Sequence, residues 1–282
     1  MTHKIIGLLV TLLLAGCATA DRKTSLTFDE TTVGAATDAK PQKLYLPAGT
    51  GRHAAVLILS KCWASDDTYE EDWAKRFASW GYVALVLDSL RPRGVPTTCS
   101  FRGDHSRRSN LPAAAQAGDL VAAMAYLRSR PDVDPDRLMG LGIDRGASVL
   151  IQAAQLRVVE TIHIKPFRAI VASSGDCDGG DEGRRFGGGG GDNAQLASDI
   201  LIMVGDHDDL DPDAKSCRHF SDVVDRNGHD LRLRIYVGAY HLFDTPIPLH
   251  LSGDGNMIGR NSAAASRSIE DVRSFVNSAM AP

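Results

Sequence analysis

Leu138-Met139-Gly140-Leu141-Gly142-Ile143-Asp144-Arg145-Gly146-Ala147 is the stretch that decides the fold. An apolar run suited to a buried strand enters Gly-x-Asp-x-Gly, and a helical pattern starts around Arg145. Glycines on either side of one polar residue permit a sharp strand-to-helix turn that lifts its side chain above a sheet, the frame called a nucleophile elbow. Here that residue is Asp144, and Arg145 follows it.

On both sides of this turn, short β-rich runs alternate with helical patterns. The runs are 42–46, 55–59, 82–87, 137–141, 167–172, 200–204 and 233–237. Most are nearly continuous apolar stretches, as in strands covered on both faces. Thr68-Tyr69-Glu70-Glu71 has the form of a capping box and predicts a helix start. Trp73, Phe77 and Trp80 follow at spacings that put them on one buried face, and Gly81 ends the helix. Leu120, Val121, Met124 and Leu127 form a second stripe, stopped before Pro131, and a last helix is expected over 269–280. The alternation predicts an α/β fold with a doubly wound, mostly parallel sheet.

Two further segments fall downstream in a telling order. Residues 200–204 lead into Gly205-Asp206-His207-Asp208-Asp209, an acidic loop after a strand. Tyr236-Val237-Gly238-Ala239-Tyr240-His241-Leu242-Phe243-Asp244 comes later. Nucleophile, acid, then histidine is the chain order of α/β-hydrolases.

More of the chain carries a specific resemblance. Trp80-Gly81-Tyr82-Val83 with Asp88-Ser89-Leu90-Arg91-Pro92-Arg93-Gly94, the acidic loop with Pro212 and Cys217, and the histidine loop all resemble segments of the dienelactone hydrolase family. The resemblance spans about 42–280, and it implies an α/β-hydrolase fold and hydrolysis of a small organic substrate. It implies His241 as base and Asp208 as its acid, with Asp206 and Asp209 as near alternatives. It also implies disulfides Cys177–Cys217 and Cys62–Cys99.

The departures from that family matter equally. Its elbow carries Ser or Cys, where this chain has Asp144. The first strand of its oxyanion side ends in His-Gly, where this chain has Ser60-Lys61. Ser60, Lys61 and Arg145 are therefore the candidate substrate or oxyanion residues. A carboxylate needs no base to activate it; it can attack a saturated carbon bearing a halide or an epoxide oxygen and form an alkyl ester. The Asp-Arg-Gly-Ala string resembles the elbow of fluoroacetate dehalogenases, and haloalkane dehalogenases and epoxide hydrolases also place Asp there. Attack by Asp144 on an ester would instead give an anhydride. The competing expectation is a catalytically degenerate lipoprotein that binds rather than cleaves, with Lys61 turned onto Asp144.

The ends and the remaining residues set the context. Lys4, an apolar run over 5–14 and Leu14-Ala15-Gly16-Cys17 resemble a bacterial lipoprotein signal, with Cys17 as the lipidated residue. Ala18 in place of Asp points to the outer membrane, facing the periplasm. Residues 1–16 are thus the expected signal peptide, 17–40 the anchor and a flexible tether, and 41–282 the hydrolase domain. Cys62, Cys99, Cys177 and Cys217 remain, an even number in an oxidising compartment, which favours two disulfides. No metal-ligand spacing joins them, and none joins His163, His207, His229 or His250 to a partner. No cofactor is expected. Net charge of −4 implies no nucleic-acid partner. The glycine run 187–191 lacks the lysine and strand–helix setting of a phosphate cradle and reads as a surface loop. His105, Arg107 and Arg108 lie in a polar loop, and 246–259 is expected as a long loop lining the substrate pocket. Ser148 is expected to point away from the pocket, and Ser173-Ser174 reads as a strand-end turn. The oligomeric state is not legible.

Overall fold

The computed structural model describes residues 24–26, 42–63, 68–95, 97–98, 113–178, 194–253 and 255–281. Among them, eight strands form one sheet in the order β1-β2-β4-β3-β5-β6-β7-β8. The strands are β1 (Thr24–Leu26), β2 (Gln42–Tyr45), β3 (His53–Leu59), β4 (Val83–Leu87), β5 (Val133–Ile143), β6 (Ala169–Ser173), β7 (Asp199–Gly205) and β8 (Leu231–Tyr236). Pairing is parallel from β4 through β8, and only β1 and β2 run antiparallel to their neighbours. This is the α/β-hydrolase architecture.

Period-2 alternation explains why the strands look apolar throughout. On β3, Leu57 and Leu59 face one core with Leu120, Met124 and Leu127 of α2 (Ala113–Ser129) and with α3 (Arg145–Ala153). Val56 and Ile58 face the other, with Trp73 and Phe77 of α1 (Thr68–Ser79). Alternate residues of one strand serve two cores, so neither face can be polar. Trp73, Phe77 and Trp80 pack ring to ring at 5.2–6.5 Å, as their spacing requires.

The remaining helices are α4 (Leu156–Thr161), α5 (Lys215–Val223) and α6 (Ser262–Ala279). The last begins seven residues before the apolar stripe suggests, because Asn261 caps it by accepting the Ala264 N–H at 3.1 Å. Two segments differ from expectation. Thr24–Leu26, placed in the tether by composition, pairs with β2 at the sheet edge. The expected loop over 246–259 contains a small hairpin, β9 (His250–Leu251) with β10 (Met257–Ile258). Residues 1–16, Cys17, Cys99, His105, Arg107, Arg108 and the glycine run lie outside the described residues.

Because β5, β7 and β8 are parallel, their carboxyl ends lie at one edge of the sheet. The loops that follow them carry Asp144, Asp208 and His241. Open parallel sheets place their sites at this edge.

Candidate active site

The glycines of the elbow have a steric reason. A Cβ on Gly142 would lie 2.3 Å from the Gly146 carbonyl oxygen, and one on Gly146 would lie 2.4 Å from that of Leu59. No side chain fits at either position, so strand and helix can close tightly. Asp144 occupies the turn at φ 52°, ψ −116°, a strained conformation for a residue with a side chain. Its N–H donates to the Ser173 carbonyl at 2.9 Å, which ties the strained residue to the end of β6.

The three chain-ordered residues meet. Asp144 Oδ1 lies 3.2 Å from His241 Nε2, and Asp208 Oδ2 lies 2.8 Å from His241 Nδ1. Asp208 Oδ1 also accepts the Leu210 N–H at 2.9 Å, which fixes the carboxylate. The neighbouring acids are occupied elsewhere: Asp206 accepts the Gly238 N–H at 2.7 Å, and Asp209 accepts the Met257 N–H at 2.8 Å. Asp209 thereby fastens the small hairpin to the acid loop. The carbonyl of His241 accepts the Gly259 N–H at 2.9 Å.

The second oxygen of Asp144 is equally engaged. Oδ2 accepts the Cys62 N–H at 2.9 Å, and the Arg145 N–H also bonds the carboxylate. These amides come from the loop after β3 and from the residue after the elbow, the two sources of an α/β-hydrolase oxyanion hole. The donor is thus Cys62, one residue beyond the expected Ser60-Lys61. Ser60 Oγ instead donates to the Leu87 carbonyl at 3.3 Å. Lys61 does not turn onto Asp144; its buried ammonium meets Glu70 at 2.8 and 3.0 Å. Arg145 Nη1 points to the Thr98 carbonyl at 3.5 Å.

The charges follow from these contacts. Burial alone would raise the Asp144 carboxyl, but the hydrogen bond and charge of His241, with the Cys62 and Arg145 amides, hold it below the usual carboxylate range. Burial alone would lower His241, but the Asp208 charge and hydrogen bonds to both carboxylates hold it well above the ordinary value. Both shifts favour a protonated imidazole beside an ionised Asp144.

A cavity of about 40 Å³ lies beside the elbow, walled by Leu59, Ser60, Lys61, Leu87, Asp88, Ser89, Leu90, Arg145, Gly146 and Val149. Neither Asp144 nor His241 lines it; it adjoins the elbow through Arg145 and Gly146. Cys177 and Cys217 form a disulfide with an S–S distance of 1.98 Å. Cys62 is also disulfide-bonded. Among the described residues no cluster of His, Cys, Asp or Glu could hold a metal ion, and no helix is long and apolar enough to cross a membrane. Ser148 accepts the Asp176 N–H at 2.9 Å.

Sequence reasoning missed three participants. Tyr69 and Asp244 share a hydrogen bond, and Ser173 Oγ donates to Asp244 Oδ2 at 2.8 Å. Glu70, read only as a helix-start residue, is fully buried against Lys61. The signal was a pair of polar residues, Tyr69 and Glu70, at the start of a helix whose remaining inner face, Trp73, Ala74 and Phe77, is apolar.

Residues 42–280 match the dienelactone hydrolase family model. A probable 2-oxo-3-(5-oxofuran-2-ylidene)propanoate lactonase from Bradyrhizobium sp is 26% identical over 219 residues, 78% of this chain and 85% of that protein. A polyketide transferase from Penicillium crustosum is 34% identical over 110 residues, 39% of this chain and 33% of that protein. Among solved structures, an esterase from Thermogutta terrifontis superposes with TM-score 0.62 at 15% identity, covering 92% of this chain and 94% of that one.

Proposed function

From the premise that the chain belongs to the dienelactone hydrolase family, and is a hydrolase, we propose that Asp144 is its nucleophile and that it cleaves a bond at a saturated carbon. The observation that carries this reading is the position of Asp144 Oδ2 against the Cys62 N–H. The nucleophile's own oxygen fills the place where an ester's carbonyl oxygen would sit. An acyl substrate meets a closed oxyanion hole, whereas an alkyl substrate needs none for the first step.

The steps balance with the residues in place. Asp144 Oδ1 attacks a carbon bearing a halide or an epoxide oxygen. The C–O bond forms as the old bond breaks, and the leaving group takes the electron pair. An opened epoxide oxygen takes the His241 proton; a halide leaves while that proton passes to solvent. Alkylation removes the Asp144 charge, one of the two that hold the proton on His241, so the imidazole becomes available as a base. It then takes a proton from water, which attacks Asp144 Cγ. The tetrahedral oxyanion forms on Oδ2, already cradled by the Cys62 N–H. Collapse expels the product oxygen, which takes the proton from His241, and the carboxylic acid left at Asp144 passes its own proton to His241 Nε2, restoring the resting pair.

The substrate in this reading is a small organic halide or epoxide, with family-type esters and lactones poorer. The setting is the bacterial envelope: a chain lipidated at Cys17 and facing the periplasm from the outer membrane. Turnover of small haloacids, epoxides, esters and lactones by the wild-type chain and Asp144→Ala tests the reading. Halide or epoxide turnover lost in Asp144→Ala supports it. Ester turnover unchanged in that variant removes Asp144 from the chemistry, and no turnover of anything favours a binding lipoprotein.

A further inference from the structure

Two successive residues of α1, Tyr69 and Glu70, reach two different segments that flank the reactive residues in sequence, Asp244 after His241 and Lys61 before Cys62. Glu70 is fully buried, and both its oxygens meet the Lys61 ammonium, at 2.8 and 3.0 Å. Lys61 precedes Cys62, whose N–H holds Asp144 Oδ2. Tyr69 accepts the Trp73 Nε1–H at 2.8 Å and bonds the Asp244 carboxyl. Asp244 lies three residues after His241 and accepts from Ser173 Oγ at 2.8 Å. The Ser173 carbonyl in turn takes the Asp144 N–H at 2.9 Å. Ser174 completes that side, its Oγ accepting the Leu242 N–H at 3.1 Å.

Resting on the reading of Asp144, His241 and Asp208 as the reactive centre, we propose that the first turn of α1 is its positioning element, with Glu70 setting the Cys62 amide against Asp144 and Tyr69 setting the histidine loop through Asp244. The physical reason is rigidity. Buried polar groups with fixed partners have one low-energy arrangement, because each broken contact leaves a group desolvated and unpaired. A single helical turn that carries both anchors fixes the two sides relative to each other. An error of about 1 Å at either side costs on the order of 100-fold in rate. Tyr69 and Glu70 touch no reacting atom; they act through Asp244 and Lys61.

The test uses two reporters that need no substrate. One is the exchangeable Nδ1 proton of His241, donated to Asp208; the other is the Cys62 amide resonance, shifted by its bond to Asp144. Tyr69→Phe is expected to move or broaden the His241 proton and leave the Cys62 amide in place. Glu70→Gln is expected to do the reverse. Ser173→Ala and Lys61→Gln stand in for either branch if its first variant fails to fold. With 2-bromoacetate as probe, both variants are expected to form the Asp144 ester and release it about 100-fold more slowly than wild type. Reporters that stay unmoved, or that move together in both variants as Tm falls, overturn the proposal. So does a branch in which no variant folds, since its pair then holds the fold rather than the site. Absence of an ester in His241→Gln, which lacks the base that would release it, contradicts the nucleophilic reading alone, because the two resonances report positioning regardless.

Discussion

At the scale of single residues, Asp144 does two things that a serine divides among partners: one oxygen faces His241 and the other fills the amide cradle. Its charge also sets the stability of the site. His241 has a raised folded pKa, so its contribution is complete below the ordinary histidine value of about 6.5 and fades as pH rises through the folded value. Asp144 has a lowered one, so its contribution is present above the ordinary carboxylate value of about 3.9 and is lost as pH falls through the folded value. Asp144→Asn removes one carboxylate from His241. The expected result is a His241 titration at lower pH by NMR, with loss of thermal stability beginning at lower pH on the alkaline side. A second substitution tests the cradle. Asp144→Ser vacates the Cys62 amide while keeping a hydroxyl near His241 and Asp208. Turnover of a short-chain ester is expected to rise above wild type by about 100-fold, since one oxyanion donor is worth about 3 kcal/mol. An ester rate no higher than wild type would show that the cradle is not a working oxyanion hole.

At the scale of elements, the parallel strands were legible because alternate residues of each face a separate core, which forces near-continuous apolar runs. The elbow was legible because only glycine fits at 142 and 146. The hairpin β9–β10 was not, since His250 and Leu251 are exposed and leave no apolar alternation to read. Nor was the identity of the amide donor. A backbone N–H leaves no signature in side-chain chemistry, and the step from Lys61 to Cys62 depends on where β3 ends and its loop turns. The partner of Lys61 was equally hidden: Glu70 is nine residues away, and its burial is a property of the packed helix. Disulfide Cys177–Cys217 joins the segment after β6 to α5 across a separation of 40 residues. Replacing both cysteines by alanine is expected to cost about 4 kcal/mol in urea unfolding, from the restored entropy of that loop. A change below about 1 kcal/mol would show that the bridge constrains the unfolded chain little.

At the scale of the whole molecule, a family frame holds an elbow at which Asp144 replaces the family's Ser or Cys. The sheet, the acid loop and the histidine loop follow the pattern over 42–280. The elbow residue and the loop after β3 do not, and these are the parts that meet at Asp144 Oδ2. The altered residues are mutually consistent, because a carboxylate in the cradle needs amide donors but no flexible His-Gly loop to admit an ester carbonyl. Function was therefore legible only to the level of a hydrolase, since the frame speaks for the reaction class and the altered centre for the substrate. The most direct measurement is the intact mass of His241→Gln after exposure to small haloacids and epoxides. Without its base the ester cannot be hydrolysed, so a mass increment of one substrate residue, mapped to Asp144, is the expected result. An unmodified Asp144 across a panel that the wild-type chain turns over would contradict a nucleophilic role for this carboxylate.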